Sequence, residues 1–366
     1  MVLSFIQEVF RPKDKMIPIV PKSDIKEIKK LIMDKSDNPL AILPGDRLII
    51  EEIKSETERR NINNITRTKA YLDFYQRHPE IEWSFLAHMV SRNGGYHMTD
   101  LKGEILPSFL EEEERKNFFL FLEKANAFIF HDAFPQLLLY QKSVERKSSL
   151  FHLLPAFGVS KTMPIFWERF WKGGDKKEIT LALIINEQSM LQERLVARIT
   201  EDYSFEKLLF FLQDRLEFTT VFFPYKKRKK SRNPYSLAGT SISHFESTKK
   251  RIEIGKRLYG ILFMNEAVYQ SSMDYAKKTP HAASRSDYWP EYYSADKYEP
   301  HKIFSPELGK AWSDKVHTFS SADWANARTV HRFDTLETLP LTRQPDVTAQ
   351  AKLIVKLAAE FNSFSI

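Results

Sequence analysis

Cysteine is absent from this sequence of 366 residues. Disulfides, thiolate metal sites and cysteine nucleophiles are therefore excluded. Long apolar runs are missing as well, so no segment reads as a membrane-spanning helix. The nearest candidate, 117–140, carries Glu123, Lys124, Asn126, His131 and Asp132 and reads as buried soluble helix. The N-terminus has no basic region, places Glu8 inside its short apolar stretch and lacks a small-residue cleavage site, so it is a poor signal peptide. A cytoplasmic protein without a membrane span is expected. Common catalytic motifs are lacking too. There is no G-x-S-x-G, no H-E-x-x-H and no E-x-x-H, and Gly94-Gly95 follows a helical pattern without the spacing of a phosphate loop.

What is present is an ordinary globular composition, 42% hydrophobic, with 28 Phe and 14 Tyr to supply a large core. The net charge of +7 permits anionic partners without requiring them. Helix signals recur from end to end. They cover 2–10, then a helix after Asp24, a third capped by Asp46, and a fourth that resumes at Ile65 and ends near His78. Pro79 fits the first turn of the next helix, which Asn93-Gly94-Gly95 should terminate near Arg92.

Ser108–Glu111 reads as a capping box for a helix to about Phe130, and Asp132 with Pro135 as the start of another to about Arg146. Further helices open at Asp175 and Ser204, while 218–223 divides between helix and strand. After a second capping box, Ser243–Glu246, one long helix should reach Lys278, with Gly255 and Gly260 explained by close helix contact. The segment 280–306 is rich in aromatics and proline and reads as an irregular wrap. The last helix should span about 346–361. The expected fold is all-α, a multi-helix globular bundle with that C-terminal wrap and at most a vestigial strand pair. A single domain, 1–366, is expected, with the basic loop 226–240 as the one place for a boundary.

The densest chemistry lies between Asn61 and Gly103. Glu80, Ser84, His88 and Arg92 repeat every four residues, as do Arg67, Tyr71 and Tyr75 on the preceding helix. Paired as a hairpin, the stripes should meet, with Arg67 and Arg92 at one level and Asp100 or Glu187 as counter-charge. The functional reading is a polar pocket for an anionic group, formed by Arg67, Tyr71, His88, Arg92, Asn93, His97 and Asp100. The plainer reading is an internal hydrogen-bond and ion-pair network.

As an alternative, His88, His97 and Asp100 would serve a hydrolase or a metal-dependent enzyme, although their spacing matches no metal motif, and no metal or cofactor is expected. His131 and Asp132 read as helix-terminal groups. Glu187 and Glu266 would each reach an arginine if turned inward. Lys226, Lys227, Arg228, Lys229, Lys230 and Arg232 form a basic loop that would grip nucleic-acid phosphates non-specifically, against the plainer reading of a solvated loop.

The same stretch resembles the central motif of the YppC-like family, a domain of unknown function in Gram-positive bacteria. Asn64, Arg67, Tyr71, Pro79, Glu80, Trp83, His88, Ser91, Arg92, Asn93 and Asp100 carry the resemblance. It implies a bacterial, cytoplasmic protein and supplies no list of catalytic residues. The function expected is that of an intracellular binding or scaffold protein, its partner a small anionic ligand or another protein.

Overall fold

The computed structural model describes residues 14–34, 42–196, 220–226, 235–241, 247–320, 322–342 and 345–363. The chain is mostly helical. A short strand, β1 (Lys15–Pro18), leads into α1 (Lys22–Asp34), which buries Ile25, Ile28 and Ile32 at helical spacing. Helix α2 (Pro44–Arg60) starts on proline. Asp46, expected as its cap, lies inside the first turn and accepts from the Leu43 backbone N–H at 2.9 Å. Helix α3 (Asn64–Tyr75) is capped by Asn63, whose side chain accepts from Thr66 N at 3.1 Å.

Helix α4 (Glu82–Asp100) departs from expectation at both ends. Pro79 lies in the turn before it, and Asn93-Gly94-Gly95 does not end it. Neither glycine has positive φ. Gly95 is needed for room instead. A Cβ there would sit 2.4 Å from Asn64 Oδ1 and 2.7 Å from His281 Nε2, so a larger residue would force α3 and the 281 segment away.

Where two helices were expected, one runs unbroken, α5 (Glu112–Arg146). It opens after Glu111, three residues beyond Ser108, which closes a 3₁₀ turn. Pro135 sits inside it, at a cost of about 3 kcal/mol in an isolated helix. Burial of Phe130, Phe134, Leu137 and Leu139 on either side outweighs that cost.

Helices α6 (Met163–Trp171) and α7 (Lys176–Leu191) follow, the second capped by Asp175 and continued by a wider π turn over Gln192–Val196. The ambiguous 220–223 segment is strand. β2 (Thr220–Tyr225) pairs antiparallel with β3 (Ser236–Ser241). The helix expected to reach Lys278 is two, α8 (Thr248–Phe263) and α9 (Glu266–Lys278), because Asn265 turns its side chain to cap the second, accepting from Val268 N at 3.2 Å. Both glycines of α8 do lie at close approaches: a Cβ on Gly255 would meet Ile184 Cγ2 at 2.8 Å, and one on Gly260 the Pro340 carbonyl at 2.6 Å.

Beyond a 3₁₀ turn at Arg285–Asp287 come β4 (Tyr293–Ser294), β5 (Ile303–Phe304), α10 (Leu308–Ala311), α11 (Ala327–Arg332), β6 (Thr338–Leu341) and α12 (Thr348–Ser363). Among the described residues there are three two-stranded pairings, where at most one was expected: β1 with β6, β2 with β3, and β4 with β5 in parallel. None of the three pairs is joined by a two-residue turn, so no tight-hairpin signal announces them.

The larger apolar cluster includes Phe74, Trp83, Phe85, Trp167, Ile185 and Tyr259. A smaller one gathers Met98, Leu101, Leu106, Phe119, Phe128 and Leu308, so α4 contributes to both. Among the described residues no helix is long and apolar enough to cross a membrane. The helices expected over 2–10 and 204–218, the capping box Ser243–Glu246 and the loop 227–234 lie outside the described residues.

Candidate functional site: a buried relay beside an open cleft

The four-residue stripe on α4 continues past Arg92 to Tyr96 and Asp100, because the helix does. All three face the segment 279–288. Arg92 Nη2 lies 3.3 Å from Asp287 Oδ2, and the same guanidinium donates to the Tyr275 hydroxyl at 3.0 Å and the Thr279 carbonyl at 2.8 Å. Asp100 accepts both arms of Arg285, Nε at 2.8 Å and Nη2 at 2.6 Å. The turn Arg285–Asp287 is thus clasped to the helix at two points of opposite polarity.

Behind this clasp runs a closed polar network. Arg67 is fully buried and meets Glu123 through two bonds, at 3.0 and 2.6 Å, and Asn126 Oδ1 at 3.0 Å. Asn126 donates to Ser91 Oγ at 3.2 Å, and Asn64 donates to the Ser91 carbonyl at 2.8 Å. Asn64 Oδ1 contacts His281 Nε2 at 2.8 Å, and His281 Nδ1 lies 3.3 Å from Asp287. The chain of contacts from Glu123 to Arg92 is unbroken. Burial alone would raise the Glu123 carboxyl, but the bonds from His317 and Arg67 prevail and hold it below the usual range. Burial pushes His281 down to about 4.

The structure therefore places Arg67 and Arg92 in one network without placing them face to face. Their counter-charges are Glu123 and Asp287 rather than the expected Asp100 and Glu187. Each arginine's fork is filled by protein acceptors. His88 is buried, with Nδ1 on the Thr68 carbonyl at 2.8 Å and Nε2 without a partner among the described residues. Asn93 serves β2: its Nδ2 donates to the Phe222 carbonyl at 2.9 Å and its Oδ1 accepts from Phe222 N at 3.1 Å. Tyr71 packs edge-on against Trp83, its hydroxyl unpartnered among the described residues. His88 and His97 are nine residues apart on one helix and so project to opposite sides. Among the described residues no group of three His, Cys, Asp or Glu side chains is placed to hold a metal ion.

His97 and Asp100 line a cleft at the C-terminal end of α4 together with Arg285, Phe222, Tyr288 and Trp289. Counted out to its open mouth, the cleft spans about 730 Å³ of empty space. Arg285 also donates to the Tyr288 hydroxyl at 2.8 Å, so its charge and most of its donors are engaged. His97 makes a backbone hydrogen bond to Thr220. Burial first, and then the Arg285 charge, push its imidazole down to about 4. Its Nε2 has no partner among the described residues.

Arg285, Tyr288 and Trp289 were not anticipated as site residues, since their segment reads as an irregular wrap. The signal available was the opposite-charge pair Arg285 and Asp287 set among aromatic residues.

A further pair of acids lies between α5 and α7. Asp132 accepts from Asn186 Nδ2 at 2.6 Å and Gln136 Nε2 at 3.0 Å, and burial raises it to about 6. Burial likewise raises Glu187 to about 7. Neither Asp132 nor His131 ends a helix, because α5 runs through them. His131 stacks on Phe319, with ring centroids 3.9 Å apart. Glu266 is exposed at the start of α9, where it accepts from Gln270. Of the six basic loop residues only Lys226 is described, 3.5 Å from Asp274.

Residues 59–353 match a family model described as "Protein of unknown function (DUF2515)". The chain is 38% identical over 297 residues to a protein of Bacillus subtilis (strain 168) described as "Uncharacterized protein YppC", covering 80% of this chain and 88% of that one. No solved structure matches. The matched span includes every residue of the relay and the cleft.

Proposed function

The chain belongs to the DUF2515 family, and on that premise we propose that it is a binding protein whose small ligand enters the cleft at the C-terminal end of α4. One observation carries the reading: an open cleft whose lining joins the rings of Phe222, Tyr288, Trp289 and Tyr293 with the polar side chains of His97, Asp100, Glu104 and Arg285. Pockets of this composition, mostly apolar with a few converging polar groups, are the usual form of a small-molecule site.

The neighbouring relay lends less support to anion binding. Arg67 and Arg92 are enclosed and already neutralised, and an anion at Arg285 would have to displace a bidentate carboxylate. A set of single-ring aromatic fragments, followed by ligand-observed NMR, tests the reading. Binding is expected to the native chain and to be lost in Ala351→Trp, which fills the cleft from α12. Absence of binding, or binding that survives the filled cleft, would refute it.

A further inference from the structure

The cleft lies at the negative end of a long helix. Helix α4 has 19 residues, and its last, Asp100, is part of the cleft wall. Aligned peptide dipoles place about half a negative charge at a helix C-terminus and favour a cation there. Arg285, from the adjacent 3₁₀ turn, answers part of that preference within the wall. Arg115 does so outside it, its Nη1 donating to the Leu101 carbonyl at 3.2 Å.

The side chains of the wall add to the same sign. Its charged members are Asp100, Glu104 and Arg285. His97 carries no charge at neutral pH, since burial pushes its imidazole down to about 4. Asp100 and Arg285 cancel one another through two bonds, at 2.8 and 2.6 Å. Glu104 accepts from Phe304 N at 2.7 Å, a neutral donor that leaves the carboxylate its charge. The wall thus holds one more carboxylate than cation.

The rings of Phe222, Tyr288, Trp289 and Tyr293 gather around Tyr288, whose centroid lies 4.9 Å from Phe222, 5.5 Å from Trp289 and 6.4 Å from Tyr293. The face of an aromatic ring is the negative part of its quadrupole and attracts an organic cation. One ring is already used in that way: the Arg285 guanidinium lies over Phe222, 5.9 Å from its centroid. An anion would face the helix pole and Glu104, and would compete with Asp100 for the one cation of the wall.

We propose that the cleft takes a small organic cation, an ammonium group carried on a flat apolar body. This rests on the cleft reading above and adds the charge of its occupant.

Benzylammonium, benzyl alcohol and benzoate are the probes, nearly equal in size and different in charge. Their dissociation constants are measured by ligand-observed NMR titration of the full chain at neutral pH and low salt. Benzylammonium is expected to bind about three- to tenfold tighter than benzyl alcohol, with benzoate the weakest of the three. The substitution Glu104→Gln keeps an acceptor for Phe304 N and removes the charge, so the preference for the ammonium should fall at least about twofold. An alcohol that binds as tightly as the ammonium, or a benzoate that binds more tightly, would overturn the inference and leave the cleft reading standing. So would a preference unchanged in Glu104→Gln. Failure of all three probes to bind would overturn the two together. Should Glu104→Gln not fold, the charge series in the native chain decides alone.

Discussion

The relay and the cleft hang on the same helix and the same three-residue turn, yet they treat polar groups in opposite ways. Around Arg67 the side chain is fully buried and each arm of the guanidinium finds an acceptor: Glu123, Asn126 and Asn61. Around Arg285 the pair with Asp100 keeps 11% of each side chain's surface in contact with solvent, and Nε2 of the neighbouring His97 has no partner among the described residues. The difference follows from desolvation. A charge removed completely from water must be matched completely, or the fold loses more than the interaction returns. At the edge of the structure solvent relieves that demand, and an ion pair need not satisfy every donor and acceptor through the protein. Completeness of the charge pairing distinguishes the two regions, whereas unmatched neutral atoms occur in both: His88 Nε2 and the Tyr71 hydroxyl beside the relay, and His97 Nε2 at the cleft, are all buried without a partner among the described residues.

The sharpest test of that contrast removes one carboxylate charge from each region. Glu123→Gln leaves Arg67 buried without its counter-ion and is expected to cost about 3–5 kcal/mol in urea denaturation. Asp100→Asn, at the solvent-touched pair, should cost less, about 1–2 kcal/mol. Equal losses would erase the distinction between closed and open regions.

A second test concerns pH. His97 is pushed down to about 4 in the fold, against a value near 6.5 in the unfolded chain. Between those values the unfolded chain takes up the proton and the native site does not, so stability falls as pH drops from about 6.5 toward 4. His281 acts in the same direction. Asp132 and Glu187, raised to about 6 and about 7, act in the other: their contribution is present at low pH and is lost as pH rises through those values. Comparison with His97→Gln isolates the cleft. The difference in stability between the two proteins is expected to change by up to about 3 kcal/mol across that window. A difference that stays constant with pH would mean that His97 is free to protonate.

The smallest effects come from adjacent glycines. Gly95→Ala drives a methyl group into Asn64 and His281, the midpoint of the relay, and should destabilise by about 1–2 kcal/mol despite its gain in helix propensity. Gly94→Ala has only Asn64 Nδ2 at 3.8 Å to meet and should stabilise by up to about 1 kcal/mol. Thermal unfolding of the two variants compares them directly, and a loss at both positions would return Gly94-Gly95 to the role of a helix stop.

Much of the architecture was legible in local signals. Asp175 caps a helix as its position before an apolar periodic run suggests, and Asn63 caps the one that begins Asn64-Ile65-Thr66-Arg67. The polar stripe on α4 was legible to Arg92 and no further, since Gly-Gly is ordinarily a terminator and only the packing against Asn64 and His281 shows why it is not one here. Pro135 misled for a related reason. Its cost is local, while the burial that offsets it comes from helices distant in sequence.

The sequence by itself determined a cysteine-free, mainly helical chain and the segment in which its buried charges lie, because periodicity, caps and the spacing of polar residues are properties of neighbouring positions. Only the tertiary structure decided which carboxylate answers each arginine. Glu123 is 56 residues from Arg67, Asp287 is 195 from Arg92, and Arg285 is 185 from Asp100. No local rule pairs residues across such distances. Packing brings them together, and burial obliges each charge to be met.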